Sequence, residues 1–170
     1  MIAFERGFIA LNRWLLILLL STMSCIVFAN VLLRYLTNES IVWGEEVARH
    51  TMIWLTVLGS GLVMRYGGHV AIDNFQDALP PRVAQAIRLF IVVALLIFFG
   101  AMVWFGHTYV ERTMLQTTSA TQIPFGYIYL AMPIGFAFMA IHLLLIARDL
   151  VTLRRYRSDE SFDAQASAAL

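Results

Sequence analysis

Charged and amide side chains are concentrated in one short part of this chain, and their spacing limits the chemistry they can do. Asn30 and Arg34 are four residues apart, and so are Glu45 and Arg49, with the acid before the base as in a favourable intrahelical pair. Glu46 lies three residues before Arg49. The pattern therefore predicts ion pairs within or between helices. The full cluster is Asn30, Arg34, Trp43, Glu45, Glu46, Arg49 and Trp54.

Two interpretations of this cluster remain open. In the first, the charges form a belt at a membrane interface, Trp43 is an aromatic anchor, and no partner is required. In the second, the cluster is a clamp between two helices. Charges near the hydrocarbon boundary are costly unless they are paired, and such residues usually mark function or helix contacts. Three charges within the five residues 45–49 favour the clamp.

The four histidines suggest a different kind of site. His50 and His107 fall toward one end of the predicted helices, and His69 and His142 toward the other. Two facing pairs in a four-helix bundle could be the axial ligands of a membrane cytochrome that binds two haems. His69, however, lies in a glycine-containing break, and no spacing within one helix supports the pairing. Haem binding is the alternative function, and the main prediction includes no cofactor.

Other kinds of chemistry find little support in the sequence. The chain has no nucleophile elbow, no glycine-rich phosphate loop and no HExxH motif, so we expect no enzyme activity. A net charge of +1 and a pI of about 8.0 give no reason to expect nucleic-acid binding. The one cysteine, Cys25, excludes an internal disulfide.

Long apolar stretches dominate the chain and predict an all-α integral membrane protein. Residues 14–33, 89–110 and 113–147 contain no Asp, Glu, Lys or Arg. A bilayer's hydrocarbon core of about 30 Å needs about 20 helical residues to cross. We therefore predict one transmembrane domain over residues 1–157, surrounded by membrane lipid. Its helices are predicted at about 8–35, 42–64, 83–110 and 124–147.

Two further segments complete this predicted architecture. In residues 70–79, apolar side chains recur at helical spacing among polar ones, as in a short amphipathic helix at the membrane surface. Residues 158–170 are small, polar and acidic, which predicts a disordered cytoplasmic tail.

The arginines orient the predicted helices. With four crossings, nine arginines fall on the side of the two termini and three on the other side. The positive-inside rule then places both termini in the cytoplasm of a bacterial cell, with the chain a multi-pass protein of the inner membrane. The nine are Arg6, Arg13, Arg65, Arg82, Arg88, Arg148, Arg154, Arg155 and Arg157, and the three are Arg34, Arg49 and Arg112.

The centres of the four predicted spans lack acids and bases. Ion-coupled carriers generally place ionisable groups or broken helices near the midplane. A small carrier that works by itself is therefore a third and less favoured possibility.

The cluster described first resembles the small membrane subunit of tripartite ATP-independent periplasmic (TRAP) transporters, the DctQ-type permease. The similar residues run from Asn30 to Tyr35, from Trp43 to Arg49 and through Trp54. They continue with Gly59, Arg65 and the run His69-Val70-Ala71-Ile72-Asp73. A weaker match is Ile123-Pro124 followed by residues 129–135. The resemblance covers about residues 8–155.

This resemblance implies a scaffold that does not transport by itself. In the family, the small subunit associates with a large, DctM-type membrane subunit that moves substrate by an elevator-like mechanism driven by a sodium gradient. A periplasmic substrate-binding protein delivers the substrate, typically an organic acid. By this resemblance the four charged residues of the cluster organise helices, Trp43 and Trp54 pack or anchor, and Asn30 and His69 belong to the same structural and partner-facing set. The chain also looks like a separate small subunit and not a fusion with the large one.

Overall fold

The computed structural model describes residues 2–66 and 80–153, and almost all of them are helical. Apart from an isolated antiparallel bridge between Thr117 and Pro124, this part of the chain forms no strand. The helices are α1 (Ile2–Thr37), α2 (Gly44–Arg65), α3 (Pro81–Thr113), α4 (Phe125–Tyr129) and α5 (Ala131–Leu153).

Four segments are long and apolar enough to cross a membrane, which confirms the predicted all-α membrane fold. They are Phe4–Thr37, Gly44–Arg65, Pro81–Thr113 and Phe125–Thr152, the last including both α4 and α5. The shortest has 22 residues, or about 33 Å at 1.5 Å per residue, and so exceeds a hydrocarbon core of about 30 Å.

Some helix bounds differ from those expected from the sequence. α1 is helical from Ile2, the first described residue, and Glu5 near its start ion-pairs with Arg65 of α2, which ties this end into the fold. The last span is interrupted at Leu130, before Pro133. Proline has no N–H to bond to the carbonyl of Tyr129 four residues earlier, and its ring crowds that carbonyl. The predicted interfacial helix at 70–79, His69 and the tail at 158–170 lie outside the described residues.

The helices pack in the spatial order α1, α2, α5, α3, so α2 and α5 are central. The core between α2, α3 and α5 contains Met64, Val92, Phe99, Met139, Leu143 and Ile146. Close approach depends on glycine at two crossings. Gly135 of α5 lies against Val57 of α2, and Gly106 of α3 lies against Pro133 of α5. Small residues allow helix backbones to approach in lipid in this way.

The first helix is the least buried of the four spans. Only 6% of its most apolar stretch is buried within the chain. Its outward-facing side chains include Phe4, Trp14, Leu18, Phe28 and Leu36. In a membrane this face contacts lipid or another protein.

Candidate functional site

Asn30 fixes the connection between α1 and α2. It is buried near the end of α1, and its Oδ1 accepts a hydrogen bond of 2.8 Å from the backbone N–H of Ile41. Its amide nitrogen lies close to Gly44, where a Cβ would be 3.3 Å away. The connection also includes Asn38 with a φ of 59°, a left-handed conformation that asparagine tolerates. The α1–α2 turn is therefore held by side-chain contacts.

Arg34 and Glu45 form an ion pair between the same two helices. Arg34 Nη2 and Glu45 Oε1 are 3.1 Å apart, and the two side chains are 55% and 69% exposed. The spacing also allowed Glu45 to pair with Arg49 within α2. Glu45 instead lies in the first turn of α2, beside the last turn of α1, where Arg34 reaches it. An exposed pair contributes about 0–1 kcal/mol, so it aligns the helices more than it stabilises them.

Glu46 makes the most extensive polar contacts at this end of the bundle. Its buried carboxylate accepts hydrogen bonds from the backbone N–H groups of Ala120, at 2.8 Å, and Thr121, at 3.0 Å. The hydroxyl of Thr121 donates a third. Glu46 therefore ties α2 to the loop between α3 and α4, and it makes no ion pair with Arg49. The sequence could not reveal partners 74 and 75 residues away.

The loop at residues 114–124, here called the α3–α4 loop, has a defined conformation of its own. The N–H of Thr118 donates to the carbonyl of Ile123 at 2.9 Å, and the N–H of Phe125 donates to that of Gln116 at 2.8 Å. The hydroxyl of Thr118 accepts from the N–H of Ile123 at 3.1 Å. Together with Glu46, these bonds hold the loop over the start of α2.

The remaining members of the predicted cluster have no such contacts. Trp43 is 46% exposed immediately before α2, as an interfacial anchor would be, and Trp54 is half-buried on the same helix. Arg49 is exposed and forms no ion pair with residues 2–66 or 80–153. His69 lies outside the described residues. The structure thus brings Asn30, Arg34 and Glu45 together at the α1–α2 junction and directs Glu46 to the loop.

A second polar cluster, not predicted from the sequence, lies toward the other end of the bundle. Arg65 of α2 is almost completely buried and ion-pairs with Glu5 of α1. Further along α1, Asn12 donates from Nδ2 to the carbonyl of Leu58 at 3.2 Å and contacts Nε2 of His142 at 3.0 Å. One feature of the sequence could have indicated this cluster. Glu5 and Asn12 are seven residues apart and so share one face of α1.

The contact between Asn12 and His142 orients that histidine. With Asn12 Nδ2 as the donor, Nε2 of His142 is the acceptor. Gly61 provides the space, since a Cβ there would lie 2.8 Å from His142 Cδ2. Asn12 therefore links α1, α2 and α5 through one amide.

These positions give no support to the haem alternative. The lone pair of His142 Nε2 is already used by Asn12. The side chain of His107 is 71% exposed and lies 3.7 Å from Glu111 on the same helix. His50 lines an open cleft beside the α3–α4 loop.

Four apolar crossings, with polar side chains that mainly bind other parts of the same chain, define a helical multi-pass membrane protein. The sequence profile of the family described as "Tripartite ATP-independent periplasmic transporters, DctQ component" matches residues 23–153. The chain belongs to this family, as its resemblance to the DctQ-type permease predicted, and it is a multi-pass protein of the bacterial inner membrane.

Characterised relatives are similar over much of the chain. The sialic acid TRAP transporter small permease protein SiaQ of Vibrio cholerae is 26% identical over 65% of this chain and 64% of its own length. The ectoine TRAP transporter small permease protein TeaB of Halomonas elongata is 32% identical over 74% of this chain and 66% of its own length. The isethionate TRAP transporter permease protein DctMQ of Oleidesulfovibrio alaskensis is 26% identical over 83% of this chain and 22% of its own length. The chain therefore matches less than two thirds of the length of each of these relatives.

Proposed function

We propose that this chain is the small scaffold subunit of a TRAP transporter and that it supports a large, DctM-type membrane subunit. Membership of the DctQ family supports the proposal. In DctMQ, the match covers 22% of the relative, so most of that permease has no counterpart in this chain. A large membrane subunit would correspond to the rest of that permease.

The observation that carries the proposal is which partners the polar side chains of the spans bind. Glu5 binds Arg65, Asn12 binds Leu58 and His142, and Glu46 binds the α3–α4 loop. These bonds hold helices and loops to one another. A carrier instead needs polar groups free to bind a solute near the midplane. The pattern favours a structural brace over both a self-sufficient carrier and a cytochrome.

In this proposal the other transporter components carry out the transport. The large subunit moves substrate by an elevator-type mechanism coupled to sodium, and a periplasmic binding protein delivers an organic acid. With both termini in the cytoplasm, the α3–α4 loop faces the periplasm, where it can form part of the docking surface for the binding protein. Substrate selectivity resides in those other components in this proposal.

The neighbouring acids Glu45 and Glu46 provide a matched test of the scaffold role. We expect Glu46→Ala to reduce severalfold the amount of large subunit that co-purifies with the chain, because the α3–α4 loop loses three hydrogen bonds at a buried carboxylate. The substrate concentration for half-maximal uptake by the assembled complex should not change. Glu45→Ala, which removes only an exposed ion pair, should co-purify almost normally. Normal co-purification of Glu46→Ala together with weaker substrate affinity would contradict the proposal.

A further inference from the structure

A cleft of about 320 Å³ lies between the start of α2, α4 and the α3–α4 loop. Arg49, His50 and Ser119 contribute polar groups to its lining, and Ile53, Phe125 and Ile128 contribute apolar ones. The contacts described so far leave the cleft without an assigned role. Its two kinds of lining indicate a ligand with a charged end and an apolar end.

Arg49 supplies the cationic group that a ligand in this cleft can reach. Glu46 also borders the cleft and keeps its negative charge, but its carboxylate oxygens are bonded to Ala120 and Thr121 of the α3–α4 loop. Glu45, one residue earlier, pairs with Arg34. The guanidinium of Arg49 is exposed and has no carboxylate partner within residues 2–66 and 80–153. A planar guanidinium binds phosphate or carboxylate groups through two parallel hydrogen bonds.

The apolar part of the cleft begins one helical turn from Arg49. Ile53 follows Arg49 by four residues, about 6 Å further along α2 toward the membrane interior, and is 38% exposed. The ring of Phe125 stacks on that of Tyr129 with centroids 5.9 Å apart, and both rings border the cleft. A molecule bound at Arg49 would therefore continue over an isoleucine and an aromatic wall.

We propose that this cleft binds an anionic phospholipid, with the phosphate on Arg49 and the first part of an acyl chain against Ile53 and Phe125. The position suits a lipid because the cleft starts at the polar end of a membrane-spanning helix and continues into its apolar part. An acidic segment of a soluble protein would use Arg49 but would gain little from Ile53. A basic side chain near the membrane surface attracts an anionic lipid head group electrostatically.

Lipid binding to the delipidated full-length chain tests the proposal, with phosphatidylglycerol and phosphatidylcholine as probes and native mass spectrometry as the readout. The wild type should retain phosphatidylglycerol about fivefold better than phosphatidylcholine. This is the effect expected of about one arginine near an anionic lipid. Arg49→Ala should abolish this preference, and Arg49→Lys should keep part of it. Arg112→Ala removes an exposed arginine near the same end of the bundle but outside the cleft, and should bind like the wild type.

Two further measurements distinguish a lipid from other anions. Glycerol 3-phosphate at equal concentration should not displace phosphatidylglycerol, because it has no chain to contact Ile53. Ile53→Ala should weaken phosphatidylglycerol binding while Arg49 stays in place. Equal retention of the two lipids by the wild type would overturn the proposal. An unchanged preference in Arg49→Ala, or displacement by glycerol 3-phosphate, would also overturn it. Since no transporter partner is present, the result is independent of the proposed scaffold role.

Discussion

Replacing Gly135 with alanine should force α5 away from α2 and destabilise the bundle by about 1–3 kcal/mol, the usual cost of overpacking a close contact. A Cβ at this position would collide with Cγ1 of Val57 and would lie 3.0 Å from its Cβ. It would also lie 3.3 Å from the backbone carbonyl carbon of Val57, which cannot move without moving α2. The melting temperature of the purified chain in detergent should fall measurably.

The matched control for this substitution is Gly100→Ala in α3. No atom lies within 4 Å of the Cβ that it would add, so the chain should melt like the wild type. Alanine also has a higher helix propensity than glycine, which acts in favour of both variants. If Gly135→Ala melted at or above the temperature of Gly100→Ala, the close packing of α2 against α5 would be wrong.

The second large effect is expected at the buried ion pair of Glu5 and Arg65. Arg65→Ala removes the arginine from a buried ion pair with Glu5, and breaking a buried pair costs about 3–5 kcal/mol. Because this pair ties the start of α1 to the end of α2, the loss should expose the first turns of α1. Faster hydrogen exchange at residues 5–12, together with a lower melting temperature, would report it.

The double variant Glu5→Leu, Arg65→Met provides the control for this pair. It removes both charges of the pair and keeps the apolar volume, so it should be more stable than Arg65→Ala. Arg6→Ala, which removes the exposed arginine beside Glu5, should have little effect. A single Arg65→Ala variant as stable as Arg6→Ala would show that the buried pair does not hold α1.

The sequence was sufficient for the four membrane spans because the relevant signals are local. The four spans follow from apolar length, and Pro81 begins α3 because proline is compatible with a first helical turn. The interruption of the last span follows from Pro133, although the break itself is at Leu130. Each of these features depends on residues within a few positions of one another, so a single sequence contains the necessary information.

The candidate site was predictable only in part, because its partners are distant in the chain. Glu46 stands out as an acid near an apolar stretch, but its ligands in the α3–α4 loop are 74 and 75 residues away. Asn12 and His142 are 130 residues apart, and neither is unusual without the helix order that brings them together. Glu45 and Arg49 have the spacing of an intrahelical pair, yet the end of α1 offers Glu45 the side chain of Arg34 instead.

Reconstitution into proteoliposomes tests the scaffold role most directly. The large subunit, the binding protein and a sodium gradient should give uptake of an organic acid only when this chain is also present. The chain alone, with the same gradient and binding protein, should give no uptake, because Glu5, Asn12 and Glu46 bond to other helices and loops of the same chain. Accumulation of a solute by the chain alone would contradict the account, and so would full uptake by the other components without it.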